Sequence, residues 1–299
     1  QLEGISAFRP KVALLLNISP DHLDRYPSYI DYVKAKKGIF LNQREGDIAI
    51  LNADDRLVLE IGDSLEKVRK IYFSKKHKIE KGVYLRGQSI VSEVLDETHY
   101  YSTDLFKIKG SHNVENIMAA IAATEVCGCA SEDIKETVNN FEGLAHRLEF
   151  VDEVCEVDFY NDSKATNIGA VEKSLESFDQ PIILIAGGKD KGTGYDSLKD
   201  LVKEKVKTLV VFGEAGEAIY KNLGPLTQPF KAHILRDAVG LAFSKASHGD
   251  VVLFSPACSS YDMFRDYEER GDAFKGFVRA LKHGTDQTGK DVHEGRGRV

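Results

Sequence analysis

The second half of the chain alternates between two hydrophobic patterns. Short apolar runs of the strand type fall at 149–159, 181–186, 207–212, 231–234 and 250–254. Stretches with helical spacing of apolar residues fall at 168–177, 196–204, 214–222, 236–246 and 262–281. Strands that alternate with helices predict a parallel sheet with helices on both faces, so this half is expected to be a doubly wound α/β domain.

The first half has a more mixed pattern. Continuous apolar runs at 12–18 and 48–51 predict buried parallel strands, and helical spacing predicts helices at 28–42 and 110–128. Residues 69–106 alternate apolar and polar positions with turn residues between them, which predicts hairpins at the margin of a sheet. This half is therefore expected to be α/β as well.

Length and composition fit two domains. The chain has 299 residues, 42% of them hydrophobic, which is enough for two separate cores. We place the first domain at 1–143 and the second at 144–282, and the polar, Gly-rich segment 283–299 predicts a disordered tail. The apolar strand at 12–18 begins so soon after Gln1 that we expect an N-terminal portion to be missing.

Charge and cysteine content narrow the class of protein. The net charge is −7 and neither half is basic, which argues against a nucleic-acid partner or an anionic membrane surface. Four cysteines without a Cys-x-x-Cys spacing indicate neither a zinc site nor a disulfide framework. With no signal peptide and no apolar run near 18 residues, the sequence predicts a soluble cytoplasmic protein with no membrane partner.

The densest candidate chemistry lies where a predicted strand ends and a helix begins. Within six residues the chain carries Asp162, Lys164, Thr166 and Asn167. The unpaired N–H groups of a first helical turn suit an anionic ligand, and these side chains would surround it. An ordinary capped turn is the alternative, because Asp, Asn and Ser also favour turns.

Two further strand ends in the second half carry loops of similar character, at 187–192 and 255–260. The carboxyl ends of parallel strands share one edge of a sheet, where ligands bind in open α/β folds. We therefore expect Lys164, Lys191 and Ser260 to meet in one crevice.

The first half contributes four candidates. His22, in a polar loop after the first strand, could be a metal ligand or a plain surface group. Lys36 falls near the apolar face of its helix, either as a snorkelling side chain or as a lysine shielded for chemistry. Asn113 and Asn116 are three residues apart on one helical face, where their amides could pair with adenine or act as caps.

Two common nucleotide motifs are missing from the sequence. No Gly-x-Gly-x-x-Gly follows a strand, which argues against a dinucleotide-dependent oxidoreductase. No Gly-x-x-x-x-Gly-Lys-[Ser/Thr] occurs either, so the sequence carries no phosphate-binding loop of that type.

Seven motifs occur in the order in which the Mur ligases carry them, and the chain resembles this family from residue 1 to about 280. The motifs are 17–26 (Asn-Ile-Ser-Pro-Asp-His-Leu-Asp-Arg-Tyr), Ala35-Lys36, 110–116 (Gly-Ser-His-Asn-Val-Glu-Asn), His146-Arg147, 161–167 (Asn-Asp-Ser-Lys-Ala-Thr-Asn), 186–191 (Ala-Gly-Gly-Lys-Asp-Lys) and 253–264 (Leu-Phe-Ser-Pro-Ala-Cys-Ser-Ser-Tyr-Asp-Met-Phe). The motif sequence at 162–167, Asp-Ser-Lys-Ala-Thr-Asn, resembles that of the family member that adds D-glutamate.

The resemblance implies an ATP- and Mg²⁺-dependent amide ligase of peptidoglycan synthesis, acting as a monomer on UDP-N-acetylmuramoyl-L-alanine and D-glutamate. The carboxylate of the first substrate would become an acyl phosphate, which the amine of D-glutamate attacks. Residues 1–143 would be the C-terminal part of a central ATPase-type α/β domain, and residues 144–282 a Rossmann-like, amino-acid-binding domain. The family's N-terminal domain and its Gly-rich ATP loop would precede Gln1, so the polypeptide alone is expected to be inactive.

The resemblance also assigns roles residue by residue. Catalytic and magnesium-binding roles fall on His22 and on Lys36, the latter as a carbamate. ATP contacts fall on Asn113, Asn116, Arg147, Asp162 and Lys164. The D-glutamate pocket falls on Thr166, Lys191 and Ser260, with an aromatic contact from Tyr267.

Two other interpretations remain open at this point. The chain could be a non-catalytic module that binds a nucleotide or an amino acid, which the presence of a phosphate loop in an upstream segment would disfavour. It could also belong to a Mur-type ligase that adds a different amino acid.

Overall fold

The chain folds into two compact α/β units, Gln1–Glu142 and Gly143–Val299. The computed structural model describes residues 2–19, 25–108, 110–190, 192 and 194–294, with side chains described as far as residue 282. Each unit is built on one six-stranded, mostly parallel sheet, which confirms the predicted α/β class. In the described part of the chain, no helix has the length and apolar character needed to cross a membrane.

The first unit has the sheet order β1-β2-β3-β4-β5-β6. Its strands are β1 (Val12–Leu15), β2 (Ile48–Asn52), β3 (Arg69–Ser74), β4 (Val83–Arg86), β5 (Ser89–Ser92) and β6 (His99–Ser102). Its helices are α1 (Tyr29–Lys37), α2 (Arg56–Asp63), α3 (Ser111–Val126) and α4 (Ser131–Asn140). Strands β1 to β4 pair in parallel and β4 to β6 antiparallel, so the hairpins expected within 69–106 lie at the margin of the sheet.

Helices cover both faces of this first sheet. One face packs against α3 and α4 through a core that includes Phe73, Met118 and Ile121, and the other packs against α1 and α2. The helix starts follow from capping side chains. Ser28 Oγ accepts a hydrogen bond from Asp31 N at 3.2 Å, and Asp55 Oδ1 accepts one from Val58 N at 3.0 Å.

The second unit has the sheet order β11-β10-β9-β12-β8-β7. Its strands are β7 (Glu149–Val154), β8 (Val157–Asn161), β9 (Ile182–Gly187), β10 (Val206–Phe212), β11 (Gln228–Lys231) and β12 (Val251–Phe254). Its helices are α5 (Ile168–Leu175), α6 (Lys199–Lys205), α7 (Gly216–Leu223), α8 (Leu235–Lys245) and α9 (Tyr267–Glu294). All pairings are parallel except that of β7 with β8 at one edge.

This second sheet is covered on both faces, as the alternating pattern predicts. Helices α5, α6 and α7 pack on one face, where Leu184 and Leu253 belong to the core. Helices α8 and α9 pack on the other, against Phe159 and Phe254. The central strands are continuous apolar runs because both of their faces are buried.

Some element boundaries differ from the prediction. The last helix begins at Tyr267 instead of 262, because the Asp266 carboxylate accepts a hydrogen bond from Glu269 N at 2.8 Å and caps the helix there. The helix continues to Glu294, into the segment for which the sequence predicted disorder. In α4, Ser131 is the first helical residue and Ala130 is the N-cap.

Candidate active site

Four parallel strands of the second unit end at the same edge of its sheet. The register places Asn161, at the end of β8, opposite Phe254 of β12, while Gly187 of β9 lies opposite Phe212 of β10. The loops that follow these strands therefore emerge side by side. They contain the predicted anion-binding segment 161–167 and the predicted Ser260 loop, which gives this edge most of the candidate side chains.

Backbone hydrogen bonds join two of these loops directly. Ala257 N donates to Ala165 O at 3.0 Å, so the segment 161–167 and the segment 255–260 run in contact. Ala257 adopts a positive φ of 61° to make this approach. Lys189 N donates to Ser259 O at 2.9 Å and brings the loop after β9 against the same segment.

Lys164 has a defined position at this edge. Its Nζ lies 3.7 Å from the centroid of the Tyr267 ring, within the distance of a cation–π interaction. Its backbone N–H donates to His146 O at 3.0 Å. The structure thus brings together Lys164 and Tyr267, two residues that the resemblance assigns to the nucleotide and to the amino-acid substrate.

The other predicted substrate-binding residues lie on the same edge. Thr166 is half-buried, and its N–H donates to Lys164 O at 2.8 Å. Ser260 is buried, and its carbonyl oxygen accepts from Met263 N and Phe264 N in a tight turn. Lys191 lies outside the described residues, so its predicted place in this crevice stays a prediction.

The Asp162 side chain is buried and accepts three hydrogen bonds. Its Oδ2 accepts hydrogen bonds from Ser174 Oγ at 2.5 Å and Ser255 Oγ at 2.8 Å, while its Oδ1 accepts one from Leu148 N at 3.3 Å. Burial raises the pKa of the carboxyl to about 6, although these bonds and the nearby Arg147 guanidinium favour the charged form. Arg147 itself is exposed.

The turn before β7 is anchored by the buried amide of Asn161. Asn161 Nδ2 lies 3.0 Å from both His146 Nδ1 and Glu149 Oε2, and Glu149 Oε2 also accepts from His146 N at 2.8 Å. Gly271 packs so closely on the His146 ring that an added Cβ would overlap it. These bonds fix the backbone on the N-terminal side of Arg147.

The first unit carries its own candidates. Lys36 lies half-buried in the last turn of α1, with Nζ 5.2 Å from the centroid of the Tyr32 ring. Asn116 Nδ2 donates to Asn113 Oδ1 at 3.3 Å, so both amides lie on one face of α3, as the spacing predicts. The N-cap of α3 is Gly110, so neither asparagine occupies the cap position. His22 lies outside the described residues.

In the described part of the chain, no group of three or more His, Cys, Asp or Glu side chains is placed to hold a metal ion. The ammonium of an unmodified Lys36 would repel a cation. Lys36 fits a magnesium site only as a carbamate, which would provide the oxygen ligand that this metal prefers.

Asp162→Asn is expected to remove a pH-dependent loss of stability. The folded-state pKa of about 6 lies above the ordinary 3.8, so the protonated carboxyl stabilises the fold. That contribution is complete below the ordinary value and is lost as the pH rises through the folded value. At about 1.4 kcal/mol per pKa unit, the variant should gain about 2 kcal/mol on the parent between pH 4 and pH 7.

The measurement is urea unfolding of both chains at the two pH values, with hydrogen exchange of β8 and β12 resolving the second unit. Asp152→Asn is the matched control, because Lys282 Nζ lies 2.7 Å from the carboxylate and lowers its pKa. Stability from that pair is lost only as the pH falls below the ordinary carboxyl value of 3.8, so the control should differ from the parent by a nearly constant amount between pH 4 and pH 7. Parallel pH profiles for Asp162→Asn and the parent would contradict the prediction.

Several residues that organise this edge were not predicted from the sequence. Asn161 was named only as the first residue of the motif 161–167, and Arg270 was not singled out at all. One signal for Arg270 was available, since it lies four residues before Phe274 and eight before Val278, on the buried stripe of α9. An arginine on such a stripe must have hydrogen-bond acceptors inside the fold.

Comparison with known proteins matches both units to one family. Residues 1–124 match the Mur ligase middle domain, and residues 146–258 match the domain described as Mur ligase, glutamate ligase domain. Along the chain, the Mur ligase middle domain therefore comes first and the glutamate ligase domain second. The chain belongs to the Mur ligase family, which confirms the resemblance carried by the seven motifs.

Curated relatives extend the match along most of the chain. The UDP-N-acetylmuramoylalanine–D-glutamate ligase of Geotalea daltonii is 52% identical over 284 residues, covering 95% of this chain and 62% of that protein. The ligase of the same name from Bdellovibrio bacteriovorus is 44% identical over 286 residues, covering 93% of this chain and 62% of that protein. The chain thus spans a little under two thirds of the length of these relatives.

Solved structures share the fold at low sequence identity. A pseudomurein peptide ligase type C from Methanothermus fervidus aligns with a TM-score of 0.68 at 16% identity, covering 91% of this chain and 64% of that one. MurF from Acinetobacter baumannii aligns with a TM-score of 0.68 at 18% identity, covering 92% of this chain and 60% of that one. These alignments support the fold assignment.

Proposed function

We propose that this chain is the part of an ATP-dependent amide ligase that adds D-glutamate to UDP-N-acetylmuramoyl-L-alanine in peptidoglycan precursor synthesis. The observation that carries the proposal is the 52% identity, across 95% of the chain, to a relative named for this reaction. A reaction that consumes ATP fits a cytoplasmic protein, and the resemblance implies a monomer.

The second unit suits the recognition of D-glutamate. The substrate carries two carboxylates, and hydroxyl and ammonium groups are their usual partners in proteins. Thr166, Lys191 and Ser260 are the residues proposed for this pocket, with the Tyr267 ring as an apolar wall. The bond between Ala165 O and Ala257 N supports the proposal, because it holds the Thr166 and Ser260 loops against each other.

Each unit carries residues that are proposed to contact the nucleotide. Asn113 and Asn116 present adjacent amides that can pair with the donor and acceptor edge of adenine. Arg147, which is exposed, and Lys164 provide positive charge for phosphate groups. Asp162 is proposed for the nucleotide as well, and its burial favours an indirect role through Leu148 N and the adjacent Arg147.

Magnesium would offset the negative charge of the phosphates, while the substrate carboxylate attacks the γ-phosphorus of ATP and ADP leaves. Lys36, as a carbamate, and His22 are the residues proposed to hold it. The amide bond would form when the D-glutamate amine attacks the acyl phosphate and phosphate leaves.

The test is an assay of phosphate release and of carbon-14 D-glutamate incorporation. It compares the 299-residue polypeptide with the same chain joined to the N-terminal region of the Geotalea daltonii relative. We expect no turnover by the short polypeptide, which lacks a phosphate-binding loop, and D-glutamate-dependent turnover by the extended one. Comparison with L-glutamate, D-alanine and a diamino acid tests the specificity.

Each other outcome would overturn part of the proposal. Full turnover by the short polypeptide would show that the missing loop is not required. Preference of the extended chain for another amino acid would identify a different Mur-type ligase. ATP or D-glutamate binding without amide formation in the extended chain would favour the non-catalytic interpretation.

A further inference from the structure

Arg270 is a fully buried arginine that connects two loops of the candidate active site. Only 1% of the residue is exposed. Its Nε donates to Ser163 Oγ at 3.0 Å and its Nη2 to Ser163 O at 2.8 Å. Its Nη1 donates to Cys258 O and to Ser259 O, each at 3.0 Å. One guanidinium thus joins the segment 161–167 to the segment 255–260.

The acceptors of this arginine are unusual for a buried charge. The guanidinium donates one hydrogen bond to a hydroxyl oxygen and three to backbone carbonyl oxygens. A buried arginine normally pairs with a carboxylate. Burial lowers the pKa of the guanidinium to about 10, which leaves it charged at neutral pH. A charge that is kept in the interior without a bonded carboxylate must be offset by well-aligned dipoles. The planar fork of arginine can reach all of these acceptors at once, which lysine cannot do.

The surroundings of the guanidinium are closely fitted. Gly188 adopts a φ of 135°, and an added Cβ would overlap Ser259 O and approach Arg270 Nη1 to 2.9 Å. Ser163 Oγ donates to Tyr267 O at 2.8 Å, in the first turn of the helix that carries Arg270. The first turn of α9, the 161–167 loop and the 255–260 loop are therefore held as one unit.

Two of the three residues that accept these bonds are chain neighbours of residues proposed to bind the nucleotide or D-glutamate. Ser163 directly precedes Lys164, and Ser259 directly precedes Ser260. Any shift of the guanidinium would be passed to both neighbours through the backbone. The Tyr267 ring, which contacts Lys164, also lies in the turn that Arg270 anchors.

We propose that Arg270 is a positioning residue that fixes the Lys164 loop and the Ser260 loop in register, so that the nucleotide and D-glutamate contacts keep a set separation. The roles of Lys164 and Ser260 in this statement rest on the proposed function. The link between the loops does not, and it can be tested separately. Arg270 itself does not touch the reacting atoms.

The first experiment measures hydrogen exchange in the 299-residue chain and its Arg270→Lys variant. Lysine keeps the positive charge but lacks the planar guanidinium that bonds both loops. The backbone amides of 163–166 and 257–260 should therefore exchange at least about tenfold faster in the variant than in the parent. The amides of β9 and β10 should keep their protection. Arg279→Lys, on the exposed side of the same helix, is the matched control and should change nothing.

The second experiment uses the extended ligase described above. Because misplacement by about 1 Å can cost roughly 100-fold in rate, Arg270→Lys should lower kcat/KM for ATP and for D-glutamate together, by about 10- to 100-fold. Ser260→Ala should lower only the value for D-glutamate, and Lys164→Ala mainly the value for ATP. This joint effect distinguishes positioning from loss of a single contact.

A milder variant keeps the proposal testable if Arg270→Lys does not fold. Ser163→Ala removes one acceptor of Arg270 and the donor to Tyr267 O, and it should loosen the same two loops to a smaller degree. Unchanged exchange in both loops, or equally increased exchange across the whole second unit, would overturn the positioning role. If the extended parent does not use D-glutamate while the two loops still respond to Arg270→Lys, the proposed function fails and the structural link stands.

Discussion

Replacing Lys36 with alanine in the extended ligase should lower turnover by roughly a thousandfold. A metal ion can supply several kcal/mol of charge stabilisation to a phosphoryl or acyl transfer, and about 4 kcal/mol corresponds to a thousandfold in rate. The proposed source of that loss is the carbamate oxygen. It would form when the neutral Lys36 amine attacks carbon dioxide, with formation of an N–C bond and release of a proton.

The position of Lys36 makes the experiment specific. Formate or acetate can occupy the space left by the shortened side chain and provide oxygen atoms, so millimolar concentrations should restore part of the activity of Lys36→Ala. Lys37→Ala is the matched control, because Lys37 is the next residue of α1 and is exposed. It should retain the activity of the parent.

A second measurement does not depend on turnover. Incubation with carbon-13 bicarbonate should give a carbamate resonance in the parent chain and none in Lys36→Ala. Absence of both the resonance and the rescue would show that the half-buried position of Lys36, over the Tyr32 ring, serves packing alone.

The strands of the second unit could be predicted from sequence because burial on both faces leaves a simple signal. The apolar runs at 181–186, 207–212 and 250–254 correspond to β9, β10 and β12 within one residue at each end. The order of these strands gave no such signal. Strand β12 lies between β8 and β9, although 89 residues separate Asn161 from Val251, because the pairing of strands is decided by tertiary packing.

The polar interior of the site was predictable only in part. Asn167 directly precedes the apolar pattern of α5, where a capping residue is expected, and its Oδ1 accepts a hydrogen bond from Ala170 N at 2.9 Å. Capping between residues so close in the chain can be predicted from the sequence. One partner of Arg270, Ser163, is 107 residues away along the chain, and no local pattern predicts such a contact. The same holds for Asp162 and Ser255, which are 93 residues apart.

Lys164→Ala should lower kcat/KM for ATP in the extended ligase by about 100-fold, the loss typical of removing one positioned charge from a reaction that develops negative charge. The ammonium already has a fixed place in the structure, 3.7 Å from the centroid of the Tyr267 ring. A cation held against an aromatic face loses less conformational freedom when it binds a phosphate than a free lysine does. Part of its effect should therefore depend on that ring.

The contribution of the ring can be separated with two substitutions at one position. Tyr267→Phe removes only the hydroxyl, which donates to Glu268 Oε1 at 2.8 Å, and should leave kcat/KM for ATP near the parent value. Tyr267→Leu removes the aromatic face and should cost about 1 kcal/mol, or about fivefold, through looser placement of Lys164. In the double variant Lys164→Ala, Tyr267→Leu, this extra loss should disappear, because no ammonium remains to be placed.

Lys173→Ala provides the matched control for charge, since Lys173 is an exposed lysine of α5 whose partner is Glu176 at 2.8 Å. It should leave the ATP dependence unchanged. An additive double variant would show that Lys164 and Tyr267 act independently of each other. A normal kcat/KM for ATP in Lys164→Ala would remove Lys164 from the nucleotide site altogether, and the loop 161–167 would then be the plain capped turn that its sequence also allows.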